Sequence, residues 1–316
     1  MKNNILLVAL LLLTAIAGQA QIMRVTSLQP LTFYDKDKIV QGVAISPQGD
    51  YLLLSSDTKQ GLIKLDLTSG NTTTVTTDDG AGSDVRISPD GQLIVYREVT
   101  YKDRRRQQAV KSVDLHTGKK QTLVKATRHL QGFELEDGTA ATVTDDGKMK
   151  MHALKKGAAQ TMSRPTLTRH HLKLYITQGG KTTMLAPNGA NEHYIWASLS
   201  PDGQRVLYYV SGRGTFVCDI DGSHVTPMGD LTAPKWWDDN TIVGMNETDD
   251  EYGIIASSIV ARTLDGQQQV LTESDVIATY PLPSASSGKI AFSTPDGKIY
   301  ILNVETQNLA SPLEAD

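Results

Sequence analysis

A turn motif recurs along the chain and is the strongest constraint on its fold. Ser-Pro-Gln-Gly or Ser-Pro-Asp-Gly stands at residues 46–49, 88–91 and 200–203, each time between two short apolar segments. Proline presets φ for a turn position, aspartate hydrogen-bonds its own backbone, and glycine accepts positive φ. Each motif is therefore typical of a tight turn between two antiparallel strands.

The segments after each motif complete a repeating unit. A third apolar segment ends in Asp and Gly, as in residues 113–118, and a fourth strand such as 121–124 follows. Four short strands repeating at roughly forty residues are typical of a β-propeller blade, which must stack on other blades around an axis. The sequence thus predicts an all-β, six-bladed β-propeller with four antiparallel strands per blade. The expected blades are 43–77, 85–124, 130–163, 195–229, 233–272 and 279–305.

Some parts of the chain fit this count less well. Residues 166–187 belong to no blade of the six; they either extend the third blade or form part of a seventh, so seven blades is the alternative. In the fifth unit Asn240 stands in the glycine position, where we expect it to take positive φ. The last blade has three clear strands, and residues 22–28 or 31–34 are expected to add its outer strand and cover an exposed edge.

The first twenty residues indicate export. Lys2 precedes an apolar run at residues 5–13, and Gly18-Gln19-Ala20 offers small residues for cleavage. This is the pattern of a secretory signal peptide, and the run is short for a membrane span, although an uncleaved anchor is the alternative. We therefore expect a signal peptide at 1–20, one propeller domain at 21–316, a periplasmic or secreted location and no stable membrane insertion.

Charge and cysteine content exclude some functions. The net charge is −4, without a polybasic tail, so nucleic acid is not an expected partner. Cys218 is the single cysteine and lies in an apolar alternation, which favours a buried thiol over a catalytic one. Two short charged runs, Arg104–Arg106 and Asp249–Glu251, are expected at solvated hairpin tips.

The Ser-Pro-Asp-Gly units resemble those of TolB-type six-bladed propellers and of the propeller domains of dipeptidyl peptidases and oligopeptidases. The three strong copies match well and the other blades match in outline. The resemblance implies a periplasmic protein that binds envelope partners. Residues 21–40 are too short for the N-terminal domain of TolB, and the chain stops soon after its last blade, without a peptidase domain. The resemblance therefore implies a stand-alone propeller and speaks more to fold than to function.

Catalytic signatures are absent from the sequence. No Gly-x-Ser-x-Gly turn occurs, and no histidine pair has the spacing of a zinc site. Adjacent His170 and His171 would point to opposite faces of a strand. His170 with His193, and Asp249 with Asp250, are weak candidates for a divalent metal, and no other cofactor is expected.

Aligning the repeats identifies candidate binding residues. In the three strong repeats, the residue two positions before the turn serine is Ala44, Arg86 or Ser198. Lys235 occupies the corresponding position in the fifth unit. The first strand of a blade lines the channel, where two cations would favour an anionic ligand, unless each pairs with a neighbouring carboxylate. Aromatic residues at the starts of the later blades are candidates for rim contacts or for core: Tyr194, Trp196, Trp236, Trp237 and Tyr280.

These features favour a non-enzymatic binding module in the cell envelope. Loops on a rigid ring commonly carry function, and the expected partner is an envelope protein, a peptide or a glycan. The chain is expected to be a monomer. Two alternatives remain: a metal-dependent, polysaccharide lyase-like or other glycan-acting enzyme, and a non-catalytic relic of a peptidase propeller.

Overall fold

The computed structural model describes residues 21–31 and 40–306, which form 26 β-strands and two 3₁₀ turns at Ala81–Ser83 and Ala285–Ser287. The expected signal peptide lies outside the described residues, as does most of 31–34. Within these ranges no helix is long and apolar enough to cross a membrane.

The strands form seven antiparallel sheets, here called blades 1 to 7. Blade 1 contains β2 (Val40–Ile45), β3 (Tyr51–Ser56), β4 (Leu62–Asp66) and β5 (Thr72–Thr76). Blade 2 contains β6 (Val85–Ile87), β7 (Leu93–Lys102), β8 (Arg105–Asp114) and β9 (Lys120–Thr127). Blade 3 contains β10 (Leu130–Glu136), β11 (Thr139–Thr144) and β12 (Met149–Ala153). Blade 4 contains β13 (Thr166–His170), β14 (Lys173–Gln178) and β15 (Lys181–Leu185).

The remaining blades have four strands each. Blade 5 contains β16 (Tyr194–Leu199), β17 (Arg205–Val210), β18 (Gly214–Asp219) and β19 (Thr226–Pro227). Blade 6 contains β20 (Thr232–Trp236), β21 (Thr241–Asp250), β22 (Gly253–Thr263) and β23 (Gln268–Val270). Blade 7 contains β24 (Thr279–Ser284), β25 (Lys289–Ser293), β26 (Ile299–Thr306) and β1 (Met23–Leu31).

The seven blades close into a ring. Their innermost strands touch in the order β2, β6, β10, β13, β16, β20 and β24, and β24 touches β2. The chain is therefore a seven-bladed β-propeller. The prediction of six blades is wrong and the seven-blade alternative is confirmed, because residues 166–187 form a sheet of their own. That sheet has three strands and lacks the Ser-Pro-Asp-Gly turn, so the repeat pattern does not reveal it.

Blade 4 runs in the opposite direction from its neighbours along the channel. Near the start of β10, Gln131 Nε2 donates to Thr168 Oγ1 (2.8 Å), in the middle of β13. At the end of β10, Glu136 accepts from the backbone N–H of Ser163 (2.9 Å), which precedes β13. The two inner strands are thus antiparallel. We call the face at which β6, β10, β16 and β20 begin the upper face.

Strand number explains this reversal. A blade with four antiparallel strands returns the chain to the face at which it entered, whereas a blade with three leaves it at the opposite face. Blade 3 has three strands, so the chain enters blade 4 from the lower face, and the three strands of blade 4 return it to the upper face. There the Tyr194 N–H, at the start of blade 5, donates to the Leu172 carbonyl (2.8 Å).

The Ser-Pro turns share one hydrogen-bond pattern. The hydroxyl of Ser88 is buried, accepts from the Leu93 N–H (2.9 Å) and donates to Asp90 (2.5 Å), while Gly91 has a φ of 72°. Positive φ at the fourth position favours glycine. Asn240, however, is not among the residues with positive φ, so that expectation is wrong. Its N–H instead donates to the Asp238 carboxylate (2.9 Å), which closes the turn through a side chain.

The ring is closed by its N-terminal strand. β1 pairs with β26 from Met23 to Leu31, as the sequence predicts for a segment beginning near residue 22. Met23 is fully buried between blades 6 and 7, and the Gln269 amide bonds its backbone twice, at 2.9 and 2.7 Å. This strand therefore covers an outer edge and ties two blades together.

The substitution Met23→Ala tests this closure. It leaves a cavity between blades 6 and 7, so we expect the free energy of unfolding to fall by about 2–4 kcal/mol in urea titrations. Val25→Ala is the matched control, since Val25 lies on the same strand and is 37% exposed. Equal losses for both variants would show that β1 does not carry this packing.

The single cysteine lies in the core between blades 4 and 5. Cys218 is 1% exposed, and burial raises the pKa of its thiol to about 12. We expect no labelling of the folded protein by iodoacetamide at pH 8 and complete labelling in guanidinium, because the thiolate is the reactive form. Rapid labelling of the folded chain, followed by mass spectrometry, would contradict this placement.

Candidate functional site

Two cavities follow one another along the central channel. The upper cavity has a volume of about 480 Å³ and opens between the starts of β6, β10, β16 and the end of β13. The lower cavity, of about 630 Å³, is lined by the Ser-Pro turns of blades 2 and 5 and by residues 162–165. Arg86 and Lys235 line both cavities and therefore lie where they meet.

The upper cavity is strongly basic. Asp84 is the one carboxylate among its lining residues, whereas five arginine or lysine side chains and two histidines face it. These basic residues are Arg86, Arg97, Arg106, Arg169, Lys235, His170 and His171. Such an arrangement in a narrow cleft concentrates positive potential and attracts anions.

Asp84 forms ion pairs with two of these cations. Its carboxylate accepts from Arg86 NH1 (2.7 Å) and Arg97 NH2 (2.8 Å), and Arg86 also pairs with Glu134 (3.0 Å). Burial alone would raise the pKa of the Asp84 carboxyl, but Arg86 and Arg97 together hold it below its ordinary value. For Arg86, the alternative that it pairs with neighbouring carboxylates is therefore what the structure shows.

Lys235 differs from Arg86. Its ammonium forms no ion pair or hydrogen bond with any residue of the described ranges, although it is half-buried in the channel. Burial, followed by repulsion from Arg86 across the channel, lowers its pKa. Arg169, an exposed residue of β13 that lines the same cavity, also lacks such a partner within the described ranges. The upper cavity thus presents two cations whose charge the described residues do not pair.

The two adjacent histidines form part of a tight turn at the mouth of this cavity. His170 pairs with Lys173, and the two residues between them, His171 and Leu172, have φ values of 47° and 61°. Both imidazoles line the cavity, with ring centroids 4.0 Å apart. The expectation that they point to opposite faces is wrong because the strand ends at His170 and the chain turns.

The other candidate residues divide among several places. Trp196 lines the upper cavity, and its indole packs edge-to-face on Tyr209 with centroids 5.2 Å apart. Ser198 and Trp236 line the lower cavity, where the indole N–H of Trp236 donates to the Ser198 carbonyl (3.3 Å).

Three aromatic candidates lie away from both cavities. Tyr194 is fully buried against Tyr208, and Trp237 is core at 4% exposure. Tyr280 is 42% exposed and lines neither cavity. Of the candidate binding residues, the structure places Arg86, Lys235, Ser198, Trp196 and Trp236 at the two cavities and Tyr194 and Tyr280 outside them.

The candidate metal ligands are not brought together. Among residues 21–31 and 40–306, no group of three or more histidine, cysteine, aspartate or glutamate side chains is arranged to hold a metal ion. His170 faces the upper cavity, whereas Asp250 lies at a hairpin tip and accepts from the N–H groups of Tyr252 (2.8 Å) and Gly253 (3.1 Å).

Several residues of the site were not identified from the sequence. Glu134 lies in the third repeat, which has no Ser-Pro motif, so counting back from the turn serine does not identify it. Arg169 lies in the segment that the repeat pattern left unassigned. Arg97 and Arg106 belong to second and third strands, for which the sequence carries no signal of channel proximity.

The substitution Asp84→Asn tests the charge network. It leaves Arg86 and Arg97 less well neutralised, so we expect the free energy of unfolding at pH 7 to fall by about 1–3 kcal/mol. Because the folded-state pKa of Asp84 lies below its unfolded value, the carboxylate stabilises the fold above the unfolded pKa. That stabilisation is lost as pH falls through the folded pKa, so the two proteins should converge below about pH 4. Asp275→Asn is the control, because Asp275 is exposed and its side chain has no hydrogen bond to the part of the chain that the structure describes. A gap that stays constant with pH would contradict the network.

Comparisons with known proteins found similar solved structures. No family model matches this chain, and no curated protein matches it in sequence. An oligogalacturonate lyase in complex with manganese is similar over 83% of this chain and 76% of its own, at 16% identity and a TM-score of 0.48. TolB from Acinetobacter baumannii is similar over 75% of this chain, at 18% identity and a TM-score of 0.47, and 55% of its length is covered. An oligogalacturonate lyase from Vibrio parahaemolyticus is similar over 89% of this chain and 97% of its own, at 12% identity and a TM-score of 0.46. The assignment of a β-propeller rests on the closed ring of blades.

Proposed function

We propose that the protein is an exported binding module whose upper cavity takes an anionic group of a partner in the cell envelope. The observation that carries this proposal is the unpaired Lys235 ammonium, half-buried in the channel with Arg169 and Arg106 lining the same cavity. The partner is a protein, peptide or glycan with carboxylate, phosphate or sulfate groups. The first twenty residues support export, and the loops on the rigid ring support binding.

The physical basis is the cost of a buried charge without a counter-charge. Burial and repulsion from Arg86 disfavour the ammonium form of Lys235 and lower its pKa, and the attraction of Asp84 offsets this only in part. Replacing such a charge by an apolar side chain is expected to be neutral or stabilising. An anion in the cavity supplies the missing counter-charge. It is held most tightly where water is excluded, because electrostatic interactions strengthen in a low-dielectric cleft. A site that destabilises the free fold but gains from a ligand is characteristic of function.

The variant Lys235→Met separates these two effects. Methionine has similar volume but no charge, so we expect the free energy of unfolding to rise by about 1 kcal/mol. In isothermal titration calorimetry with citrate at low ionic strength and pH 7, we expect affinity to fall at least about tenfold. The probe is citrate because it carries several carboxylates and fits the cavity.

The matched control is Lys120→Met, which removes one charge from an exposed outer strand. It should leave citrate binding unchanged. If the wild-type protein shows no saturable citrate binding, or if Lys235→Met binds citrate as tightly as wild type, the proposal is wrong. Titration with oligoglutamate and with an acidic oligosaccharide then distinguishes a peptide partner from a glycan.

A further inference from the structure

Two long hairpins rise from the upper face and carry opposite charge. We call residues 100–107, at the tip of β7 and β8, the basic arm; it contains Lys102 and Arg104–Arg106 with one acidic residue, Asp103. Residues 247–256, at the tip of β21 and β22, form the acidic arm; it contains four acidic residues and no basic one. The predictions that both charged runs lie at hairpin tips are confirmed.

Both arms begin where their hairpins leave the neighbouring loops. The Val99 N–H donates to the Asp79 carbonyl (2.8 Å) just before the basic arm, and the Ala278 N–H donates to the Ser257 carbonyl (3.0 Å) just after the acidic arm. Ile254 still packs on the core between blades 6 and 7 and Arg106 lines the upper cavity, whereas the charged residues at the two tips are exposed. The tips carry exposed aromatic residues, with Tyr101 at 71% and Tyr252 at 89% exposure. Each arm is the tip of the hairpin formed by the second and third strands of its blade, and the two hairpins are of similar length. The arms therefore stand at similar distances from the channel axis.

The charges of the arms are not neutralised within the described part of the molecule. No salt bridge there involves a basic residue of the basic arm or an acidic residue of the acidic arm. In the basic arm Lys102 pairs directly with Arg105 across the strands. Like charges opposite one another destabilise a hairpin. Both arms would thus gain from a partner of opposite charge.

The positions of the arms suit a second copy of the same chain. Blades 2 and 6 are three blades apart, which is the largest separation in a ring of seven, so the arms of one molecule stand on opposite sides of the channel mouth. Consider a two-fold axis perpendicular to the channel, along the bisector of the two arms. It brings the basic arm of each copy onto the acidic arm of the other, because both arms have similar radius and height. The interface is then self-complementary, as a closed two-fold dimer requires.

We propose that the protein forms a face-to-face dimer in which the basic and acidic arms of two copies pair twice. This differs from the monomer that the sequence analysis expects. It does not depend on the anion site, because the pairing residues of the arms, apart from Arg106, do not line the upper cavity. Exposed ion pairs contribute little each, so the dimer is weak and sensitive to salt. The tyrosines at the tips add contacts with the facing arginines.

Sedimentation of the wild-type protein gives the first test. At about 100 µM protein and about 20 mM NaCl we expect a dimer, and at about 0.5 M NaCl a monomer, because the Debye length there is only a few ångströms. A monomer at both salt concentrations, or a dimer that persists at high salt, overturns the proposal. A monomer would leave the arms to a different partner.

Charge reversal gives the second test. One variant makes the basic arm acidic, with Lys102→Glu, Arg104→Asn and Arg105→Glu; asparagine suits the positive φ at residue 104. The other makes the acidic arm basic, with Glu247→Lys, Asp249→Lys and Glu251→Lys, and keeps Asp250 because it caps the turn. Thermal melting followed by circular dichroism confirms that both variants fold.

Each variant alone carries two arms of one sign, so its self-association should weaken at least about tenfold. An equimolar mixture should dimerise again, because each arm then meets one of opposite charge. The double reversal Lys119→Glu with Lys120→Glu, on the outer edge of blade 2, is the control and should dimerise as wild type. Variants that dimerise alone, or a mixture that stays monomeric, would refute the pairing of the arms.

Discussion

The stacking of sheets that are apolar on both faces is the constraint on which this structure depends. In β3, Leu52 and Leu54 pack towards blade 7, whereas Tyr51 and Leu53 pack towards blade 2. Side chains alternate between the two faces of a strand, so one strand contributes to two separate cores. No blade can bury both faces alone, so the blades stack on one another, and the apolar contact between blades 7 and 1 helps to close the ring. The channel, its two cavities and the arms at the upper face all follow from this closure.

The number of strands per blade decides where the chain runs relative to the channel. Four-stranded blades bring the start of every inner strand to the upper face. Blades 3 and 4 have three strands each. Blade 3 reverses the direction of the next inner strand, and blade 4 reverses it again, so the inner strand of blade 5 runs in the common direction. The reversal brings His170 and Arg169 to the upper cavity at the end of an inner strand, where other blades contribute the residues that begin one. The positive character of the cavity therefore depends in part on this exception.

The sequence predicted the parts of the fold that are marked by local chemistry. The Ser-Pro turns carry their signal in adjacent residues, and so does the burial of Cys218 in an alternating strand. Blade 4 carries no such signal, because its turns use His171-Leu172 and Gly179-Gly180 in place of the repeated motif. The repeat alignment placed Arg86 and Lys235 on the channel, but pairing is a property of three-dimensional neighbours. One partner of Arg86, Asp84, stands two residues before it in the sequence, but the other, Glu134, comes from the next blade. Lys235 has neither within bonding distance, and the sequence does not show that the ring places it there unpaired.

The joint between blades 3 and 4 differs from the others. In the described residues, six apolar clusters fill the other six blade interfaces, whereas this joint is held by polar contacts such as Gln131 with Thr168 and Glu136 with Ser163. A ring that opened here would become an arc with every apolar cluster intact. Residues 154–165 cross this joint. A circular permutation that opens the chain there costs the core least, and a pair of strands inserted or removed there would likewise leave the apolar clusters intact.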